Sequence, residues 1–281
     1  MIDIDIVQFY ITNVCNLTCK DCESFNDRAF KGHFYWDQHE EDYRKWSKII
    51  NIENLGIIGG EPFANPDLLV WVKEVRALWP NSPVAEVWTN GTYLKSKQDL
   101  ASQIIKEGFQ LRVCVHDPAQ YEEIKFYLEK ILEPFAVTAE IEPGNIEYFV
   151  NGNRLAKLYT TYSFYKAAQR YIKHNVTYLH NSDPDRAFAV CGDECHYLLR
   201  GKLYRCALTA ISSDLTEQFK IEDSAATLLK NYKSCSPWDS EEDIRAFIDN
   251  LSKSVPQCSV CPENKTLYPL WPLAKTKTKY N

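Results

Sequence analysis

Three cysteines near the N-terminus, Cys15, Cys19 and Cys22, follow a short apolar run. Three residues separate the first two and two residues separate the last two, so the three thiols share one tight loop. A structural zinc ion takes four protein ligands, and a disulfide takes two cysteines. An iron–sulfur cluster held by three cysteines keeps one iron open to an external ligand. The spacing therefore predicts a reactive centre rather than a purely structural one.

A second pattern, Gly59-Gly60-Glu61-Pro62, follows a short strand that we predict over residues 55–58. Two adjacent glycines allow the backbone to approach a ligand closely, and the Glu61 carboxylate can pair with a cationic amine. The next predicted strand ends at Thr89 and Asn90, which add small hydrogen-bonding groups. Because the carboxyl ends of parallel strands meet at one edge of a sheet, we expect these groups beside the cysteine loop. The combination predicts a site for a zwitterionic ligand.

The C-terminal third of the chain carries a second group of cysteines. They are Cys191, Cys195, Cys206, Cys235, Cys258 and Cys261. Gly201 lies five residues before Cys206, in a hairpin that we predict over 198–204 with Gly201-Lys202 as its turn. Four thiols can occupy every iron of a [4Fe–4S] cluster, and four thiols can equally hold zinc. The pattern therefore predicts a second metal centre.

Strand-like and helix-like segments alternate up to about residue 180. Strands are predicted over 4–11, 55–58, 84–89, 109–115, 135–141 and 176–179. Helices are predicted over 38–50, 66–79, 98–107, 118–132 and 154–172. This alternation is typical of a parallel sheet with helices outside it, and six units are too few for an eight-stranded barrel. We therefore expect an α/β fold, a partial (β/α)6 TIM-like barrel over 1–180, with a small cysteine-rich α+β module over 181–281.

Composition and charge narrow the classes of function. The 281 residues are 45% hydrophobic and 25% charged, which is typical of a globular protein with a large core. The net charge of −6, without a basic stripe, argues against a nucleic-acid partner. We find neither a secretory signal nor a run of roughly 18 apolar residues, so we expect no membrane partner. Ten cysteines in such a chain favour the reducing cytoplasm.

The loop of Cys15, Cys19 and Cys22, with Gly59–Pro62 and Thr89–Asn90, resembles the radical S-adenosylmethionine superfamily. The resemblance covers about the first 180 residues. It implies that the three cysteines bind a [4Fe–4S] cluster whose open iron chelates S-adenosylmethionine. The implied chemistry is reductive cleavage of that cofactor to a 5′-deoxyadenosyl radical, which abstracts a hydrogen atom from a substrate.

The same resemblance implies roles for the other residues of the pattern. Gly59–Glu61 contact the methionine end of S-adenosylmethionine, and Thr89 and Asn90 face its ribose or carboxylate. This sequence departs from the family at Asp21, where an aromatic residue commonly packs near the adenine. The departure concerns the adenine contact and leaves the cluster ligands unchanged.

The C-terminal cysteines are similar to those of the Twitch module, a shortened relative of the SPASM domain. That module has the pattern C-x9–15-G-x4-C, followed by a later cysteine pair. The similarity implies an auxiliary [4Fe–4S] cluster with four ligands, namely Cys191, Cys206, Cys258 and Cys261. Cys195 lies too near Gly201 to match the pattern, and it is kept as an alternative to Cys191.

A fully ligated second cluster suits electron transfer, because removing a hydrogen atom from an alcohol carbon leaves one more electron to be lost. The layout resembles that of aminocyclitol dehydrogenases within the superfamily, which implies oxidation of an alcohol to a carbonyl. The expected substrate is a polyol, sugar or nucleotide-sugar, and the expected reductant is a flavodoxin or ferredoxin. The alternative is a peptide- or protein-modifying enzyme that forms a cross-link or epimerises a residue. A non-catalytic iron–sulfur or zinc protein that carries electrons is a third interpretation.

His116 follows the fourth predicted strand, on the same edge of the sheet. It is a candidate base for the proton of a substrate hydroxyl group. The alternative is an ordinary helix-capping turn before Pro118. A zinc site that joins the N-terminal cysteines to His33 or His39 is also open, but it leaves Gly59–Pro62 unexplained.

Anaerobic iron and sulfide analysis checks both centres. Two [4Fe–4S] clusters predict about eight irons and about eight sulfides per chain. A zinc centre at either cysteine set instead predicts about four irons, with zinc found by elemental analysis. Zinc bound by Cys15, Cys19 and Cys22 would contradict the prediction of a reactive N-terminal cluster.

Overall fold

The computed structural model describes residues 1–19, 22–26, 30–160, 164–165, 169–191, 195–264 and 267–268. Its strands are β1 (Ile2–Tyr10), β2 (Ile50–Ile58), β3 (Val84–Thr89), β4 (Gln110–Val115), β5 (Thr138–Glu142), β6 (Asn145–Val150), β7 (Asn153–Thr160), β8 (Phe164–Tyr165), β9 (Gln169–Lys173), β10 (Val176–Leu179), β11 (His196–Leu199), β12 (Lys202–Tyr204) and β13 (Leu267–Tyr268). Its α-helices are α1 (Glu40–Trp46), α2 (Leu68–Leu78), α3 (Gln98–Lys106), α4 (Tyr121–Leu132), α5 (Pro184–Val190), α6 (Ala207–Gln218), α7 (Asp223–Lys230) and α8 (Glu241–Asp249).

Within these residues, nine strands form one mixed sheet in the order β12-β11-β1-β2-β3-β4-β7-β6-β5. The central strands, from β11 to β7 in this order, pair in parallel. Antiparallel strands complete both edges, with β12 at one end and the β6–β5 pair at the other. This arrangement confirms an α/β fold whose sheet is largely parallel. No helix in the described part of the chain is both long enough and apolar enough to cross a membrane.

The apolar residues of α2 pack into the core because they recur at helical spacing. In α2, Leu68, Trp71 and Val75 are spaced by three and four residues, and all three are buried. Phe9 of β1 packs against Trp71 and Trp79, with ring centroids 6.5 and 5.3 Å apart. The alternating pattern along β1 therefore directs one set of side chains into this aromatic core and the other set to the opposite face.

The helix predicted over 154–172 is wrong in its described part, because β7 occupies Asn153–Thr160. In β7, Ala156 and Leu158 are buried while their neighbours are more exposed, which is the two-residue period of a strand. Asn151-Gly152 forms the turn before it, with φ angles of 50° and 80°. Asn-Gly is a strong signal for a two-residue hairpin turn, and this signal could have identified the antiparallel pair β6–β7 from the sequence.

The six parallel strands also differ from those expected. The segment 176–179 is a strand, β10, but it pairs antiparallel with β9 outside the large sheet. The strand expected over 135–141 is β5, on the antiparallel edge. β7 and β11 take the places of these two strands in the parallel part, so the sequential (β/α)6 order is wrong. The sheet therefore includes β11, which lies beyond residue 180. A short apolar strand does not specify its partner, so the sequence pattern could not predict this pairing.

The hairpin expected over 198–204 is confirmed as β11 and β12. Its turn is Arg200-Gly201, one residue earlier than predicted, with φ angles of 49° and 69°. Two buried aromatic residues hold this turn. Trp46 Nε1 donates a hydrogen bond to the Gly201 carbonyl (2.9 Å), and the Gly201 N–H donates to the Tyr43 hydroxyl (3.2 Å).

Gly201→Ala should destabilise the protein by about 2 kcal/mol, because the new Cβ meets both a positive φ and the side chain of Asp42. Gly152→Ala is the matched control. Its φ is also positive (80°), but nothing lies within 4 Å of the added Cβ, so we expect a cost of about 1 kcal/mol. Denaturant unfolding under anaerobic conditions measures both. Equal losses would show that the contact with Asp42 has no effect on stability.

Candidate functional site

The N-terminal cysteine loop begins just after β1 and is bound by its backbone to the end of β2. The Gly60 N–H donates to the Thr12 carbonyl (2.7 Å), and the Glu61 N–H donates to the Val14 carbonyl (2.8 Å). Cys15 and Cys19 are 7% and 4% exposed. The carboxyl ends of β1 and β2 therefore hold two of the three thiols in a mostly buried position.

The two glycines are required by this contact. A Cβ added to Gly59 would lie 2.6 Å from the carbonyl oxygen of Thr12, and one added to Gly60 would lie still closer to the carbonyl oxygen of Val14. Such distances are too short for any side chain. The close approach that the glycines allow is therefore an approach to the cysteine loop, and their contact with a ligand stays a prediction.

Glu61 ties the end of β2 to the end of β3. Its carboxylate, only 1% exposed, accepts hydrogen bonds from Thr89 Oγ1 (2.7 Å), from the Asn90 N–H (2.8 Å) and from the Phe63 N–H (3.1 Å). Burial raises the pKa of Glu61 to about 7, and the hydrogen bonds oppose that rise. Pro62 begins the short 3-10 turn that follows. Pairing of this carboxylate with a ligand amine stays a prediction.

Asn90 brings the end of β3 to the cysteine loop. Its Nδ2 donates to Asn16 Oδ1 (3.0 Å) and lies 3.8 Å from Cys15 Sγ. Its Oδ1 accepts from the Thr92 N–H (3.0 Å). The structure thus places Cys15, Glu61 and Asn90 in one connected group. Asn16 belongs to this group as well, although nothing in its type or spacing identified it from the sequence.

His116, at the end of β4, lies against the same loop. Its Nδ1 is 3.0 Å from Cys19 Sγ. Burial lowers the pKa of His116 to about 4, so the imidazole is neutral near pH 7. The adjacent Asp117 caps the 3-10 turn Pro118–Gln120, accepting a hydrogen bond from the Ala119 N–H (3.0 Å). The capping turn is therefore confirmed, whereas the role of His116 as a base stays a prediction.

The four predicted auxiliary ligands line a single pocket in the C-terminal part of the fold. They are Cys191, Cys206, Cys258 and Cys261. Cys206 precedes α6, whereas Cys258 and Cys261 belong to the turn around Pro256–Val260. Burial raises the pKa of Cys261 well above its usual range, and the other three thiols and Glu23 raise it further. Segments far apart in the sequence therefore each contribute a cysteine to the lining of this pocket.

The two remaining C-terminal cysteines have different surroundings. Cys195 lies beside Gln8 of β1, whose Nε2 donates to its Sγ (3.7 Å). Cys235 is buried in the core, where its backbone pairs with Leu203 of β12. Burial raises the pKa of Cys235 to about 12, as expected of an inert thiol.

Arg205 is a residue of the auxiliary pocket that the sequence analysis missed. Its guanidinium lies 4.5 Å from the ring centroid of Phe188, and it donates to the carbonyls of Asn250 and Leu251. Arg205 is only 7% exposed and lines the same pocket as the four cysteines. Its positive charge therefore lies near their thiols. Its position next to Cys206 was the only available signal in the sequence.

Over the described residues, no three side chains of histidine, cysteine, aspartate or glutamate lie close enough together to hold a metal ion. The fit to a cofactor rests instead on the chemistry of the donor groups. One set offers three thiols on a loop, and the other offers four thiols around a pocket. Thiolates are the usual ligands of iron–sulfur clusters, so both sets fit such a cluster by type.

The N-terminal part of the chain is similar to one known family. A family described as "4Fe-4S single cluster domain" matches residues 6–117, which include the cysteine loop, Gly59–Pro62, Thr89 and His116. A search of curated protein sequences gives no match.

Three solved structures show a partial likeness to this chain. They are BtrN in complex with AdoMet and 2-DOIA (17% identity, 40% of this chain and 45% of that chain, TM-score 0.33), anSMEcpe with bound AdoMet and the Kp18Cys peptide (14%, 47% and 41%, 0.36), and Streptococcus suis SuiB bound to S-adenosylmethionine (15%, 46% and 38%, 0.30). In each case this chain spans less than half the length of the matched protein.

Gly60→Ala should displace the cysteine loop, because its Cβ overlaps the Val14 carbonyl. We expect a loss of about 2 kcal/mol in stability and a fall in iron content toward that of a Cys15/Cys19/Cys22 triple variant. Gly56→Ala, within β2, is the control, since the atoms nearest its Cβ all belong to the side chain of Gln8, at 3.0–3.3 Å. Unfolding and iron analysis of the two variants test this expectation. Full iron content in Gly60→Ala would contradict it.

Proposed function

We propose that the protein is a radical S-adenosylmethionine enzyme. The observation that carries the proposal is the hydrogen-bonded contact between the three-cysteine loop and Gly60-Glu61, at the carboxyl ends of β1 and β2. A structural metal loop has no need of this second motif. Ligand sites of open parallel sheets lie at this edge of the strands. The match of residues 6–117 to a 4Fe–4S single cluster domain supports the same assignment.

In this proposal Cys15, Cys19 and Cys22 hold a [4Fe–4S] cluster, and S-adenosylmethionine binds at Gly59–Pro62, Thr89 and Asn90. The chemistry that these groups supply when bound is reductive cleavage of the sulfonium, giving a 5′-deoxyadenosyl radical that abstracts hydrogen from a substrate. The residues of the chain would hold these groups in position and keep solvent away from them. Burial of Cys15 and Cys19 limits the access of water to this part of the site, as a reactive radical requires.

We further propose that the second cysteine set holds an auxiliary [4Fe–4S] cluster. Four thiols leave no open iron, so electron transfer is the role that this set suits. The charge of Glu23, which follows Cys22, is one of the factors that raise the pKa of Cys261. Oxidation of an alcohol to a carbonyl requires loss of a hydrogen atom, then of one proton and one electron. The auxiliary cluster is the proposed acceptor of that electron.

The proposed substrate is therefore a small polar alcohol, such as a polyol, sugar or nucleotide-sugar, and the proposed reductant is a flavodoxin or ferredoxin. His116 remains the candidate base for the hydroxyl proton. Because its Nδ1 lies against Cys19, that role falls to Nε2. The aromatic and polar stretch from Tyr159 through Tyr165 to Arg170 and His174 is a candidate either for lining a substrate cleft or for packing against the core, and its residues 161–163 and 166–168 lie outside the described residues.

A peptide-modifying enzyme is the second candidate, and one observation favours it. Strand β5 is the last strand of the described sheet, and all five of its residues are exposed. An exposed sheet edge can pair with an extended peptide through backbone hydrogen bonds. Ile141, at 73% exposure, would offer an apolar contact to such a peptide.

Anaerobic turnover separates these functions. Reduced, reconstituted protein with S-adenosylmethionine and candidate alcohols should yield 5′-deoxyadenosine and a carbonyl product in equal amounts. Cys19→Ala should abolish both products, because the first cluster loses a ligand. Cys258→Ala should retain cleavage of S-adenosylmethionine but lose the carbonyl product. Cys235→Ala, a core cysteine outside both sets, is the matched control and should retain both.

Two results would count against the proposal at different levels. Absence of 5′-deoxyadenosine from the wild-type protein contradicts the radical S-adenosylmethionine assignment. A product that keeps the oxidation state of the alcohol contradicts only the dehydrogenase assignment, and a cross-linked or epimerised peptide would replace it with the second candidate.

A further inference from the structure

The cysteine loop runs across the ends of three neighbouring strands. Val14 bonds to the end of β2, Cys15 lies beside Asn90 at the end of β3, and Cys19 lies beside His116 at the end of β4. The first two contacts involve residues that the proposed function already uses. The third joins a predicted cluster ligand to a ring nitrogen at 3.0 Å.

The direction of this contact follows from the chemistry of a cluster ligand. A cysteine that binds iron does so as a thiolate, which has no proton to donate. A hydrogen bond between Cys19 Sγ and His116 Nδ1 must then run from the Nδ1–H to the sulfur. The imidazole is a suitable donor, because a neutral ring carries its single N–H on either nitrogen.

The fold holds His116 in place for this contact. Val115, directly before it, is the last residue of β4 and is buried. Asp117, directly after it, caps the turn Pro118–Gln120 with a hydrogen bond of 3.0 Å. A strand end on one side and a capped turn on the other restrict the backbone of His116. The Cys19 contact is therefore made by a positioned ring rather than by a residue of a free loop.

We infer that His116 is a positioning residue that donates a hydrogen bond from Nδ1 to Cys19 and so sets the reduction potential of the N-terminal cluster. This inference rests on the proposed function. Hydrogen bonds to cluster sulfurs are one of the factors that determine these potentials. Because reduction adds negative charge, a donor to the thiolate stabilises the reduced form more than the oxidised form. The contact therefore makes reduction by the electron donor easier.

Three variants test the inference. His116→Leu removes the donor, His116→Asn keeps an N–H donor as far from Cβ as Nδ1 is, and His116→Gln keeps the polarity but carries its N–H one carbon beyond that position. The readout is a redox titration monitored by electron paramagnetic resonance, using the reduced-cluster signal that changes when S-adenosylmethionine is added. That response distinguishes the N-terminal cluster from the auxiliary one.

At the potential where half of the wild-type cluster is reduced, we expect the reduced-to-oxidised ratio of His116→Leu to fall about fivefold, the size of one hydrogen bond. His116→Asn should stay within about twofold of the wild type. If His116→Leu loses its iron, the same fall is expected in His116→Gln. A wild-type ratio in the variant that lacks a donor at the Nδ1 position overturns the inference, and so does an equal fall in His116→Asn.

Two further outcomes are separate from these. A strongly coupled nitrogen at the wild-type cluster would show that His116 binds iron directly, which also overturns the inference. Absence of any signal that responds to S-adenosylmethionine in the wild-type protein would instead contradict the proposed function. Failure of the inference alone leaves that wild-type response intact.

Discussion

The site depends on one contact between backbones, where the end of β2 meets the segment that leaves β1. Two N–H groups, those of Gly60 and Glu61, donate to carbonyls of Thr12 and Val14 at 2.7 and 2.8 Å. Only residues without a Cβ permit this approach, so the glycine pair is needed for packing before any ligand is considered. Through this contact, the pairing of two buried strands determines where the cysteine loop begins.

Polar groups at the neighbouring strand ends then complete the arrangement. Glu61 is buried and gathers three donors, two of which belong to Thr89 and Asn90 of β3. A buried carboxylate is costly unless such donors compensate it, and the same donors fix the turn that carries Asn90 to Cys15. At the end of β4, His116 also contacts the cysteine loop, through Cys19. One loop is thereby held by three strands in their order in the sheet.

Strand β1 also connects this site to the second set of cysteines. It pairs with β2 on one side and with β11 on the other, and the β11–β12 hairpin leads directly to Cys206. The contact between Gln8 of β1 and Cys195, at the start of β11, lies along the same connection. The hairpin that leads to Cys206 therefore lies beside the strand that leads to the N-terminal loop, although the two cysteine sets are nearly 170 residues apart in sequence.

Features that depend on local chemistry could be predicted from the order of the amino acids alone. The spacing of the cysteines, the Gly-Gly-Glu-Pro segment and the apolar periods of α2 to α4 identified the loop, its contact and the helices that cover the sheet. Each of these depends on residues within a few positions of one another. The Asn151-Gly152 turn is of the same kind and was overlooked.

The pairing of the strands and the contacts of the polar groups depend instead on the assembled fold. A short apolar strand is compatible with several partners, so the sequence could not show that β11 rather than β10 lies beside the other parallel strands. The contact of His116 with Cys19 joins residues 97 positions apart, and burial at that point is a property of the assembled fold. Local patterns specify which groups are present, whereas distance and burial depend on long-range packing.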